Sequence, residues 1–314
     1  MFHHLFFNVL CIFLMMLPGF IACRRSIVSE NSSSDMSFFL VNFVYPCLIF
    51  DSIFNNFTIN GLITRWELPA GSFMIMVIGF LIGFLVTCWL SFKEDDERKS
   101  FLYQCLMNNY SFLPLPLVIL LFGDESAAML IFSSLGAEVA LWTLGVIILR
   151  TKGHKANILR NLLSPPLVAM YVTFILMIML HLLGFDKHSF IQKMEYPLKA
   201  IKMIGAATIP LAMTVAGMRI AGLHPKGLGN MKVWIVSAMR LIIIPIVAVL
   251  VIKALPFPDA SRHILIVVAV MPVAIASILM SEIYGGDKNF MSATVLTTHL
   301  LALVTVPVLL AVFL

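Results

Sequence analysis

Two adjacent asparagines, Asn108 and Asn109, stand inside the apolar stretch Phe101–Phe122 (FLYQCLMNNYSFLPLPLVILLF) and are followed by Pro114 and Pro116. The stretch is long enough to cross a bilayer, but it is not written as a continuous helix. Proline removes a backbone donor and collides with the carbonyl four residues back, so the chain is expected to break between Asn108 and Pro116. In hydrocarbon the freed backbone groups need partners, and irregular backbone persists at membrane depth only where protein buries it or it lines a wet cavity. An asparagine amide offers donors and an acceptor, which suits it to a polar ligand such as a carboxylate. The same amides also suit helix–helix hydrogen bonds, so a kinked helix with a packing asparagine pair is the competing reading.

Four ionisable residues lie in other apolar stretches, where charge is costly and usually functional. Glu138 sits near the middle of 126–149, with Trp142 one turn on and Gly145 on the same face. A carboxyl there must be neutral or paired. His299 lies near the middle of 290–313; with Glu138 it could carry a coupled proton if the two meet, and otherwise both are buried hydrogen-bonders. Arg240, two turns inside 232–255, could neutralise an anion or snorkel to the interface. Asp51, five residues after Pro46, could face a cavity or sit in interfacial water. Arg219, Lys202 and Glu282 fall near segment ends, where interfacial solvation is the expectation. Pro116 and Pro272 are expected to shape the site without touching charge.

Composition bounds the class. The chain has 314 residues, 61% hydrophobic and 12% charged, with a mean hydropathy of +1.00. Average globular chains carry roughly 25% charged residues, so an all-α polytopic membrane protein is expected. The five cysteines show no paired or metal-ligand spacing, and there is no Walker-type loop, serine elbow or His/Cys cluster. An ATP-driven pump, an intramembrane enzyme and a metal site therefore lack their parts. No cofactor is expected, and the basic balance, spread over loops, is no argument for nucleic acid.

The elements that must position these residues are about ten spans: 5–22, 37–55, 68–91, 101–122, 126–149, 161–183, 197–220, 232–255, 262–284 and 290–313. The first resembles a signal-peptide core, but only histidines precede it and Arg24-Arg25 follow, the charge order of a helix that starts outside. Loops after odd-numbered spans hold thirteen lysines and arginines, Arg219 among them, against seven on the other side. That bias places the odd loops in the cytoplasm and both termini outside.

A shift of about 163 residues lays 70–90 on 233–253, Gly123-Asp124 on Gly286-Asp287 and 126–149 on 289–312, and nearly the same shift puts Pro46 on Pro210. Two copies of five spans, 1–160 and 161–314, must be inverted relative to each other because five is odd. The repeat requires a second break in the ninth span, and Pro272 falls opposite Asn109 there. Half-helix N-termini at two such breaks present backbone N–H groups and the positive dipole end to an anionic group.

These segments resemble the auxin efflux carrier family, which includes plant PIN-type carriers and bacterial carriers of malate and malonate. The resemblance runs the whole length: Leu17-Pro18-Gly19-Phe20 with Arg24-Arg25, Asn42–Phe54, Asn109–Leu117 with Phe122-Gly123, Asn161–Pro166, Ile209–Ala212 through Gly217, and Met271–Ala274 through Gly285, with Pro307 in the last helix. The chain departs from the family at Asn108, where plant members carry proline, and at Pro114, where glycine is usual. Auxin specificity is therefore not carried over. The resemblance implies a scaffold part (spans 1, 2, 6 and 7), a transport part (3–5 and 8–10), elevator-like movement of one against the other, and a homodimer.

Together these readings predict a secondary carrier in the plasma (inner) membrane that moves a small organic anion by alternating access around broken helices four and nine. With no nucleotide site, the substrate's own gradient, the membrane potential or a coupled H⁺ or Na⁺ would drive it, and the lipid bilayer is its solvent. Asn108, Asn109, Pro116, Pro272 and Asp51 form the expected substrate site, Glu138 and His299 the proton path, and Arg240 the anion's counter-charge. A cation/proton antiporter and a non-transporting substrate sensor are the alternatives.

Overall fold

The structure, a computed structural model, describes residues 2–150, 163–223 and 227–314. Lys152, Lys155, Arg160, Asn161 and Lys226, and the expected boundary between residues 160 and 161, lie outside the described residues. Among the described residues the regular elements are all helices, and eight are long and apolar enough to cross a membrane: α1 (Phe2–Arg24), α2 (Ser32–Asn56), α3 (Ile59–Thr87), α5 (Asp124–Leu149), α6 (Pro165–Leu182), α7 (Glu195–Gly222), α8 (Met231–Ala254) and α10 (Lys288–Phe313). The chain is an all-α integral membrane protein.

The fourth and ninth places are taken by pairs of half-helices. These are α4a (Asp95–Leu106) with α4b (Pro114–Phe122), and α9a (Asp259–Ala269) with α9b (Ser277–Tyr284). Pro114 opens α4b at its first helical position, where a missing N–H costs nothing and the fixed φ suits the start of a helix. Both second halves end on glycine in the left-handed region, Gly123 at φ 85° and Gly285 at φ 107°. The first halves begin earlier than the apolar runs suggest, because the acidic residues Asp95, Asp96 and Glu97, and Asp259 in α9a, favour the positive end of a helix.

Three long helices carry one π-type turn each, at Leu40–Val44 in α2, Leu141–Gly145 in α5 and Met239–Ile243 in α8. α1 lies against the C-terminal half of α7, α6 against α2, α3 against α5, and α8 against α10. The α1–α7 approach depends on Gly19 and Gly217. A Cβ on either would lie 1.9 Å from a backbone oxygen of the other helix, Thr214 O or Met16 O.

Contacts recur at the sequence shift. Ser261 Oγ donates to Glu67 Oε1 at 2.6 Å, and Asn230 Nδ2 donates to Glu97 Oε1 at 2.7 Å. Residues 67 and 230, and 97 and 261, are 163 and 164 apart, so one contact has the other's partners exchanged. Two further bonds join residues that are themselves 163 or 164 apart: Asn109 N to Pro272 O at 2.8 Å, and Thr208 Oγ1 to Val44 O at 3.4 Å.

Candidate functional site

A broken helix leaves carbonyls without partners at one end and N–H groups at the other. Here the breaks satisfy part of each other's need. Residues 107–109 and 272–274 pair antiparallel through a bridge between Asn108 and Val273, with Asn109 N donating to Pro272 O and Ala274 N to Met107 O at 3.4 Å. Asn108 Nδ2 donates to Val268 O in the last turn of α9a at 2.5 Å. Asn109 Oδ1 accepts from Leu113 N, at the entrance to α4b, at 3.3 Å.

Between α2, α5, α7 and the two breaks lies a cavity of about 270 Å³, lined in part by residues of both breaks. The backbone N–H groups of Ser111 and Phe112 before α4b, and of Ile275 and Ala276 before α9b, have no hydrogen-bond partner among the described residues, and all four residues line the cavity. The two pairs are 164 residues apart. Pro114 and Pro116 remove two donors from the first turn of α4b itself, and Leu115 N is already bonded to Ser111 O at 3.1 Å, so the free donors lie just before that helix.

Three charged or polar arrangements complete the wall. Glu138 accepts from Tyr110 Oη on Oε1 and from Trp142 Nε1 on Oε2, both at 2.9 Å. Tyr45 Oη and Ser111 Oγ are 2.7 Å apart, tying α2 to the first break. Arg219, on the last turns of α7, lines the cavity and donates to Ser37 Oγ through Nε at 3.2 Å and Nη2 at 3.0 Å. The remaining lining is mainly apolar and aromatic side chains.

Of the residues expected to form the substrate site, the proton path and the counter-charge, Asn108, Asn109 and Glu138 line this cavity and Pro116, Pro272, Asp51, His299 and Arg240 do not. Pro116 and Pro272 are buried behind its wall. Asp51 lies elsewhere on α2, six residues beyond the lining Tyr45, and its Oδ1 accepts from Asn55 Nδ2 at 2.8 Å. Six residues turn a helix by roughly 240°, which takes Asp51 off the cavity face. His299 is buried with Nδ1 against Val295 O at 2.8 Å, and no hydrogen bond or ion pair joins it to Glu138.

Arg240 is fully buried, neither snorkelling nor facing the cavity. It bonds the main chain at the breaks, to Cys105 O at 3.2 Å, Ala269 O at 3.3 Å and Met271 O at 3.4 Å. Arg219 was the missed residue, because a basic side chain near an apolar segment's end reads as interfacial. Its signal is length: α7 runs on to Gly222 and so holds Arg219 inside the helix.

At the charged start of α4a, outside the spans, Glu97 is paired with Lys232 at 2.6 Å and bonded by Asn230. Burial alone would push its carboxyl up, but the bonds from Lys232 and Asn230 outweigh it and hold the group below its ordinary value of 4.5.

The family model described as Membrane transport protein matches residues 4–310. An uncharacterized transporter of Methanocaldococcus jannaschii is 25% identical over 303 residues, covering 95% of both chains. One of Methanothermobacter thermautotrophicus is 24% identical over 304 residues, covering 96% of this chain and 95% of its own. With broken helices at both expected places and a match over nearly its whole length, the chain belongs to the membrane transport protein family, that of the auxin efflux carriers.

Proposed function

We propose that this protein is a secondary carrier of a small organic carboxylate, working by alternating access around two crossed, broken helices. The observation that carries the reading is the set of unpartnered donors on residues that line one cavity. Four unpartnered backbone N–H groups, at Ser111, Phe112, Ile275 and Ala276, lie there with the Arg219 guanidinium. Backbone donors at helix N-termini favour an anionic group, and a guanidinium adds charge and a planar fork that matches a carboxylate. Asn109 contributes an Nδ2 with no partner among the described residues, its Oδ1 being held by Leu113 N. Glu138, on the same wall, is the candidate proton carrier.

The inverted repeat is supported by contacts whose partners exchange at the 163–164 shift, Glu67–Ser261 and Asn230–Glu97, and by bonds between shift-related residues. The division into a scaffold (α1, α2, α6, α7) and a transport part is supported by packing: α1 lies on α7 and α2 on both α6 and α7, while α3 lies on α5 and α8 on α10. An antiporter built on Glu138 and Asp51 would need both carboxyls in one cavity, and Asp51 does not line it.

The test is uptake of radiolabelled malate, malonate and indole-acetate into proteoliposomes, with pH gradients imposed, for the wild type beside Arg219→Gln and Asn109→Ala. We expect uptake of one carboxylate, with affinity reduced about tenfold or more in Arg219→Gln, since a hydrogen bond to a charged group is worth roughly 1.5–3 kcal/mol. Folded wild-type protein that takes up none of the three, or an Arg219→Gln variant with unchanged uptake, counts against the carboxylate reading of this cavity.

A further inference from the structure

Arg240 is the most demanding side chain in the molecule. Its relative exposure is 0%, and no carboxylate pairs with it among the described residues. A buried charge without compensation is expensive, so something must balance it. What surrounds it is the C-terminal end of both first half-helices. Nη1 meets Cys105 O in the last turn of α4a, Nη2 meets Ala269 O, the last residue of α9a, and Nε meets Met271 O just beyond. Each such end carries unpaired carbonyls and roughly half an elementary negative charge. Two ends together therefore match about one positive charge.

Space has been cleared for this arrangement. Gly79 on α3 faces Cys105 O and Arg240, and a Cβ there would collide with that oxygen and lie 3.4 Å from Nη1. In carriers built around broken helices, half-helix C-termini and unwound carbonyls are where a coupled metal cation is commonly held. Here a guanidinium from α8 has that place.

We infer that Arg240 is a built-in counter-cation: it stands where the two half-helix C-termini would otherwise draw in Na⁺, so the substrate crosses without a Na⁺ bound at the breaks. It acts as a positioning residue, holding the two breaks together and so setting the distance between the four N–H donors on their far side. Only the last step, that substrate moves without Na⁺, rests on the carrier reading.

The experiment begins with thermal unfolding of the detergent-solubilised wild type in NaCl and in choline chloride of equal concentration. The inference expects the same midpoint in both, whereas a protein that binds Na⁺ in its native state would melt later in NaCl. Arg240→Ala is expected to melt earlier. Guanidinium chloride, kept far below denaturing concentrations, should restore part of the loss, and urea, of like shape but uncharged, should not. A purely packing role would respond equally to both. If Arg240→Ala does not fold, Arg240→Lys takes its place: it keeps the charge, and its melting should remain indifferent to Na⁺. Na⁺-dependent melting of the wild type, equal rescue by urea, or an Arg240→Ala variant as stable as the wild type each overturns the inference. None of these readouts uses a substrate, so their failure is distinct from a failure to find a transported carboxylate.

Discussion

Glu138 takes one donor on each oxygen, the Tyr110 hydroxyl and the Trp142 indole N–H. Replacing it by glutamine leaves one acceptor for the indole N–H, which can only donate, and turns the other atom into a donor for the Tyr110 hydroxyl, which can turn to accept. Both bonds can therefore persist, and the variant should fold and melt close to the wild type. If the carboxyl carries the coupled proton, Glu138→Gln should abolish the response of uptake to an imposed pH gradient while leaving substrate exchange at equal pH. The melting midpoint is measured beside gradient-driven uptake and counterflow; a variant still driven by the pH gradient removes Glu138 from the proton path. This residue was legible in the sequence because a carboxyl in mid-span has no bland solvent to explain it. Arg240 was visible for the same reason, but its partners were not: three main-chain carbonyls on two distant segments leave no mark in residue types. Arg219 was discounted because the apolar run ends near it, although the helix continues.

The breaks were the easiest elements to read, since proline and asparagine in an apolar stretch oppose a continuous helix by a known mechanism. The π-type turns were not readable, because one inserted residue shifts a helix face by about 100° and every face of these spans is apolar. The start of α4a shows how a half-helix is anchored. Glu97 meets Lys232 and Asn230, tying α4a to the first turn of α8. Its folded-state carboxyl titrates below the ordinary 4.5, so the unfolded chain binds the proton first. The pair's contribution is therefore fully present above pH 4.5 and is lost as pH falls through the lower folded value. Acid titration of the melting midpoint should show a downward slope below about pH 4.5 that is shallower in Glu97→Gln. Parallel slopes for the two proteins would mean that other carboxyls govern acid stability.

For the molecule as a whole, the cavity is lopsided, and the lopsidedness bears on mechanism. Its lining draws on Ser37 near the start of α2, Ser164 and Pro166 at the start of α6, and Arg219 near the end of α7. These ends all adjoin loops that follow odd-numbered spans, the side richer in lysine and arginine; under the orientation that the positive-inside bias proposes, with those loops in the cytoplasm, this is the inward-facing arrangement. An inverted repeat supplies the other state by exchanging the roles of equivalent residues. At a shift of 164, Ala216 corresponds to Ser52 and Arg219 to Asn55. Ala216 lines the present cavity, whereas Ser52 is 7% exposed and does not. In the outward-facing state Ser52 should take the place that Ala216 has here, and Asp51, one residue before it, should come to the cavity's edge. In a variant with the five native cysteines replaced, Ser52→Cys should react with a membrane-impermeant thiol reagent only from outside, and faster when outward substrate flux is imposed. Ala216→Cys should react only from inside, and more slowly under the same flux. Labelling of Ser52→Cys that ignores flux would leave the molecule with one state, and the proposal of alternating access through an inverted repeat would fall with it.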